Sequence, residues 1–199
     1  MREKQSHRPV GRPREFDEEA VLDCAMGAFW RKGYEATSLA DLCDCTGLHK
    51  GSLYQTFGDK HQLFMRALQH YAEEEFREVA AVAFSSESPL ENIRAAINKI
   101  CDDFSTDKGC MMINSLVELA PHDPQVKAAL QEIGGKRVRF MTDLIGKAQQ
   151  AGEIRQELDS TRLARQLMIT LAGSAAMAKG FLGRDEIAEV LDELIASWG

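Results

Sequence analysis

From Phe16 onward the apolar residues of this chain recur at helical spacing, and no stretch alternates apolar with polar residues as a half-buried strand would. The five prolines stay out of the apolar runs. Pro9 and Pro13 lie near the N-terminus, and Pro89, Pro121 and Pro124 fall at the ends of runs. This pattern restricts the fold to the all-α class. The spacing predicts helices over about 17–32, 39–45, 49–55, 59–83, 89–105, 110–120, 124–151, 159–182 and 184–198, with Gly33, Gly47, Gly109, Gly152 and Gly183 among the joints. The 199 residues suit one large or two small domains, and 44% hydrophobic residues supply a packed core. No apolar run approaches the ~20 residues that span a bilayer.

The charge is unevenly placed. The formal net charge is -7, yet residues 1–14 carry Arg2, Lys4, Arg8, Arg12 and Arg14 against the single acid Glu3, so this arm is +4 and the remainder -11. A basic arm on an acidic body suits a phosphate backbone at one end of the molecule, or a tail that aids solubility. The first sixteen residues have charge but no apolar stretch behind it, so no secretory signal is expected and a cytoplasmic location follows. Five cysteines, an odd number without a disulfide framework, agree with a reducing compartment.

The segment Ser38 to Phe57 holds two short helices joined at Gly47. Thr37 or Ser38 caps the first, with Asp41 in support. Cys43 and Cys45 supply small side chains where the helices cross, Gly47 permits the tight turn, and Leu48 turns back into the core. This is the pattern of a helix-turn-helix, whose second helix enters a major groove.

Gly33-Tyr34-Glu35-Ala36-Thr37-Ser38, then Leu42 to Leu48, Lys50-Gly51-Ser52-Leu53-Tyr54 and Phe57-Gly58-Asp59-Lys60-His61-Gln62-Leu63, resemble the TetR family of repressors. Gly11-Arg12-Pro13-Arg14 resembles the stretch that often precedes the domain in that family, and the likeness covers roughly residues 11–65. His49, Gln55, Thr56, Cys43 and Cys45 depart from the common pattern. The resemblance implies a three-helix DNA-binding domain over 15–62, preceded by a flexible basic arm over 1–14. A helical ligand-binding and dimerisation domain over 63–199 follows. It implies phosphate contacts from Tyr54, Lys60 and the helix start at Thr37. His49, Lys50, Gly51 and Ser52 would meet base edges, and Arg12 and Arg14 a minor groove.

In the body, Ile97, Cys101, Phe104, Cys110, Met111, Met112, Ser115, Phe140 and Leu144 are candidates to line a ligand cavity, or simply to form core. Leu163, Leu167, Leu171, Ala175 and Ala178, with Ile187, Val190, Leu191, Leu194 and Ile195, form stripes on the last two helices. Periodicity leaves open whether these are a dimer face or an internal face; the resemblance implies a homodimer through these helices. Cys110 follows Gly109 at a helix start with Lys108 near, a setting that favours thiolate, so it is a candidate oxidant or electrophile switch; the other reading is a buried apolar thiol. Gly109-Cys110-Met111-Met112-Ile113-Asn114 and Glu118-Leu119-Ala120-Pro121 resemble a subgroup of the family, some of whose members sense such reagents. No cofactor and no metal site are expected: Cys43 and Cys45 point apart on a helix, and His7, His61, His70 and His122 have no ligand spacing.

The expected function is a dimeric repressor that binds a palindromic double-stranded operator and is released by a small-molecule inducer or by cysteine modification, with no enzymatic activity and no membrane partner. The competing readings are a thiol-dependent helical enzyme using Cys110 with His122, and a ligand-independent DNA-binding protein. The first lacks an oxyanion motif, and the acidic body disfavours the second.

Overall fold

The computed structural model describes residues 16–104 and 108–199, with the side chains of residues 103 and 104 excepted. Among these residues are nine helices and no strand: α1 (Glu18–Lys32), α2 (Leu39–Thr46), α3 (Lys50–Phe57), α4 (Lys60–Val82), α5 (Pro89–Phe104), α6 (Met111–Glu118), α7 (Pro124–Gln150), α8 (Ser160–Met177) and α9 (Arg184–Ala196). The expected arm, with Arg12 and Arg14, lies outside the described residues.

Short polar side chains set most of the helix starts, because the first N–H groups of a helix have no internal partner. The carboxylates of Asp17, Asp59, Asp123 and Asp159 accept N–H groups at the starts of α1, α4, α7 and α8. Ser38, not Thr37, caps α2, and it shares a reciprocal capping box with Asp41. Gly47 ends α2 in the left-handed conformation, φ 67° and ψ 9°, and its N–H donates to the Cys43 carbonyl. The helix over 159–182 is shorter than its periodicity suggests. The Met177 carbonyl accepts from the N–H groups of Gly180, Phe181 and Leu182, which folds the chain into a turn ahead of α9.

Helices α1 to α3 form a head on the first turns of α4. Phe29 of α1 meets Phe64 of α4 edge-to-face at 5.2 Å, and Tyr34 meets the same ring at 5.0 Å. Leu42, Leu53 and Phe57 close the core beneath the two short helices. Burial pushes the Cys45 thiol up to about 12, with the hydrogen bond to Cys24 adding to it, so Cys45 is a neutral packing residue between α1 and α2. Helix α4 then continues into the body and packs against α5 and α7, while α8 lies along α7, and α9 lies against α5 and α8. Trp198 is buried, and its carbonyl accepts from Arg155 N–H, which fastens the C-terminus to the turn after α7.

One charge pair is enclosed in this packing. Glu75 of α4 and Arg137 of α7 form an ion pair whose side chains are 9% and 14% exposed. Burial lowers the Arg137 pKa to about 10, which still leaves the guanidinium charged at neutral pH. Two buried opposite charges tolerate each other; one alone does not.

Two outcomes follow from this packing. Gly47→Ala costs about 1 kcal/mol in urea unfolding, because a Cβ there meets no atom within 4 Å and the penalty is the left-handed backbone alone. Arg137→Met costs about 3–5 kcal/mol because Glu75 is stranded, whereas Glu75→Leu with Arg137→Met costs far less. Equal stability losses in the single and double variants would contradict the pairing.

Candidate nucleic-acid interface and internal cavity

Helix α3 has two unlike faces. Leu53 and Phe57 point into the head, while His49, Lys50, Gly51, Ser52, Tyr54 and Gln55 are exposed. His49 is the N-cap and makes no side-chain capping bond, so the first N–H groups of α3 have no side-chain acceptor from it. The Lys50 ammonium lies 5.6 Å from the centre of the Tyr54 ring, one helical turn on. Lys60 sits 4.3 Å over the Tyr34 ring and donates to the Glu35 carbonyl at 3.4 Å. Of the expected DNA-contact residues, His49, Lys50, Gly51, Ser52 and Tyr54 therefore share one surface, with Lys60 half-buried beside the turn that precedes α2.

Thr37 is a correction. Its side chain is fully buried, and its hydroxyl donates to the carbonyls of Gly33 and Ala28. Its N–H bonds the Tyr34 carbonyl, so neither group is offered to a phosphate. At the cap of α2 the Asp41 carboxylate accepts the N–H and the hydroxyl of Ser38. Lys32, 2.6 Å away, and the hydroxyl and N–H of Ser38 hold that carboxyl well below its usual range. Sequence alone could not choose between adjacent Thr37 and Ser38, both good caps.

Inside the body is a cavity of about 190 Å³ bounded by five helices and the residue that caps α6. Helix α4 supplies Glu75, Phe76 and Val79, and α5 supplies Ile100. Cys110 and, from α6, Met112, Ile113 and Leu116 form another wall. Leu130, Gly134, Arg137, Phe140 and Met141 come from α7, and Met168, Leu171, Ala172 and Ala175 from α8. Phe76 and Leu116 are also exposed at the surface, which puts the mouth of the cavity beside them. Phe76 and Phe140 meet edge-to-face at 5.1 Å, and Phe84 extends the cluster outward.

Of the expected cavity residues, Cys110, Met112 and Phe140 line it. Ile97, Cys101, Met111, Ser115 and Leu144 do not: all are buried in the surrounding core. Met111 and Ser115 lie four residues apart on one stripe of α6, and the Ser115 hydroxyl returns to the Met111 carbonyl. The cavity takes the neighbouring stripe instead, a rotation of about 100°. Ile100 substitutes for Ile97 and Cys101 on α5 in the same way, and Leu144 continues the Arg137–Met141 stripe beyond the end of the cavity. The Phe104 side chain lies outside the described residues. Sequence reasoning missed Glu75 and Arg137 because charged helical residues usually face water. Their place on the stripes Leu68–Tyr71–Glu75–Val79 and Leu130–Gly134–Arg137–Met141 was the available signal.

Cys110 is buried and caps α6. The Tyr71 hydroxyl donates to its sulfur at 3.7 Å. His122 lies past the opposite end of α6, an eight-residue helix about 12 Å long, so the two cannot form a nucleophile–base pair.

Helix α6 also holds the head. The Trp30 indole of α1 donates to the Gly109 carbonyl at 2.9 Å, and Lys108 lies 5.1 Å over that ring. At the far end, the Glu118 carboxylate accepts the N–H groups of Tyr34 and Glu35 at 3.0 and 2.9 Å. A Cβ on Gly33 would meet Glu118 Oε2 at 2.8 Å and push the carboxylate aside, and the φ of 80° at Gly33 itself favours glycine.

The stripe Leu163–Leu167–Leu171–Ala175 of α8 is internal, as are Ile187, Leu191 and Ile195 of α9. A different stripe is exposed: Ile169, 74% exposed, Gly173, Ala176 and Met177, with Val190 of α9. Helix α8 thus has the cavity on one side and an open, small-residue apolar face on the other. Among the described residues no helix is long and apolar enough to cross a membrane, and no cluster of three or more metal-ligating side chains occurs.

Known proteins resemble both parts of the chain. Residues 21–67 match the family described as bacterial regulatory proteins, tetR family, and residues 89–193 that described as Tetracyclin repressor-like, C-terminal domain. The HTH-type transcriptional repressor ComR of Escherichia coli is 33% identical over 192 residues, covering 94% of this chain and 91% of ComR. The uncharacterized HTH-type transcriptional regulator YezE of Bacillus subtilis is 34% identical over 193 residues, covering 92% and 96%. A cysteine mutant of the TetR family regulator CifR, complexed with 26-base-pair operator DNA, superposes with a TM-score of 0.83 at 28% identity, over 94% of this chain and all of that one. The chain therefore belongs to the TetR family of DNA-binding transcriptional regulators.

Proposed function

We propose that this protein is a homodimeric repressor whose α3 helices read a palindromic operator, and which leaves DNA when a small molecule fills the body cavity or when Cys110 is modified. The observation that carries the DNA half is the two-faced α3: Leu53 and Phe57 anchor it while His49, Lys50, Gly51, Ser52 and Tyr54 stand clear. Lys50 suits guanine O6 or N7, Ser52 serves several bases, and Tyr54 and Lys60 suit phosphates. Arg12 and Arg14 are assigned to a minor groove. The domain boundary falls at 62/63, within the first turn of α4. The dimer face is the exposed stripe on α8 and α9, whose small residues let two helices approach closely. A regulator of this kind has no catalytic step and works in the cytoplasm.

The release mechanism rests on α6. Met112, Ile113 and Leu116 face the cavity, while Gly109 and Glu118, at the two ends, hold Trp30, Tyr34 and Glu35 of the head. A ligand that displaces α6 shifts the head, and with it the separation of the two α3 helices, which must stay near one duplex turn, ~34–36 Å. Helix α4, which runs from the head into the body, shares this role with α6. Only a ligand with unequal affinity for the two arrangements shifts the population. Cys110 lines the same cavity, so a thiol reagent reaches it by the route the ligand takes.

Selection from a random duplex pool tests the DNA half: it should enrich a palindrome with half-sites one turn apart. Lys50→Ala should then lose about 1–3 kcal/mol of binding and relax preference at one base per half-site. Failure to enrich any palindrome would end the repressor reading. For the lever, Glu118→Ala should speed amide hydrogen exchange at Tyr34 and Glu35 at least about tenfold, since each N–H loses a charged acceptor worth about 1.5–3 kcal/mol. Unchanged exchange at both amides would remove Glu118 from the coupling.

A further inference from the structure

The cavity wall is more selective than its mostly apolar lining suggests. Size comes first. A dry protein cavity of about 150 Å³ takes up benzene, so about 190 Å³ suits one ring with a small substituent. Phe76 and Phe140 offer aromatic edges at the mouth, and Met112, Met141 and Met168 are thioether walls that adapt to a flat guest.

The charged part of the lining is the Glu75–Arg137 pair, and Tyr71 is buried next to it. Tyr71 bonds the Cys110 sulfur, Glu75 follows Tyr71 by one helical turn, and Arg137 faces Glu75 from α7. Glu75 Oε2 pairs with Arg137 Nη2, and Tyr71 also bears on the guanidinium. A guanidinium carries five N–H donors, and a carboxylate takes two of them in a fork. Donors therefore remain for an oxygen acceptor.

Charge decides which acceptor. The Glu75–Arg137 pair is neutral as a unit. A ligand carboxylate would add an uncompensated negative charge beside Glu75, and an ammonium would do the reverse beside Arg137; both are costly where water is excluded. A carbonyl oxygen accepts from Arg137 and leaves the balance untouched.

We propose that the cavity selects a neutral, ring-sized carbonyl compound, its apolar body against Phe76, Phe140 and the methionines and its oxygen on Arg137. This rests on the reading of the cavity as the effector site. It adds the chemistry of the effector.

Calorimetric titration of the full chain with four single-ring probes tests it: acetophenone (neutral carbonyl), cumene (its apolar counterpart), benzoate and benzylammonium. Acetophenone should bind at least about tenfold more tightly than each of the others. A smaller margin, tighter binding of either ion, or no binding by acetophenone overturns the proposal. In the folding-safe double variant Glu75→Leu/Arg137→Met, cumene binding should persist and the preference for acetophenone vanish; a surviving preference overturns the role of Arg137. Gly134→Phe places a ring in the open space beside that glycine and should abolish acetophenone binding; retained binding places the probe elsewhere and also overturns the proposal. Release of the selected duplex is read separately. Acetophenone bound with the duplex still held refutes the effector reading and leaves the ligand class standing. Release by benzoate with acetophenone unbound does the opposite.

Discussion

A charge pair enclosed between α4 and α7 constrains much of the body. Glu75 and Arg137 must stay opposite each other, because separating them leaves a charge in a medium that cannot solvate it. That requirement fixes how far α7 can slide along α4. It also keeps Phe76 and Phe140 on adjoining walls, one residue and three residues along from the paired charges. A pair of this kind contributes little net stability, because the desolvation of both charges offsets their attraction. Both members of the pair stand in the cavity wall, so the charges that place α7 on α4 also border the internal space.

Head and body meet through backbone groups as much as through side chains. The Gly109 carbonyl and the Tyr34 and Glu35 amides are points of attachment, reached by Trp30 and Glu118, and His61 meets Asp123 at 2.6 Å beside them. Such contacts have narrow geometry, so a small translation of α6 breaks or carries them rather than stretching them. The rings of Phe29, Tyr34 and Phe64 pack together and tie α1 and the turn after it to α4.

The helical architecture and the helix-turn-helix were legible because their signals are local. Gly33, Gly47, Ser38 with Asp41, and Asp59 act within a few residues of themselves, and eight of the nine helices lie close to their expected spans. The one exception, α8, ends early because three consecutive N–H groups converge on the Met177 carbonyl, a bond pattern no periodicity announces. The cavity was only partly legible. Apolar residues on adjacent stripes of one helix look alike in sequence, so Met111 and Met112 could not be told apart until the partners of α6 were known. The same ambiguity hid which stripe of α8 faces inward. Glu75 and Arg137 were passed over because an isolated charge on a helix usually means water, and its meaning changes only when a second charge meets it from another helix.

Helix α8 separates two spaces by its own diameter, about 10–12 Å: Met168, Leu171, Ala172 and Ala175 border the cavity, and Ile169, Gly173 and Ala176 form the outer face. When two protomers join through that face, each guest lies one helix away from the neighbouring subunit. A guest that reshapes α8 would in that dimer act directly on the interface, which would link ligand binding to self-association. A saturation curve that departs from a simple hyperbola, and whose steepness changes with protein concentration, is the natural behaviour of such a wall.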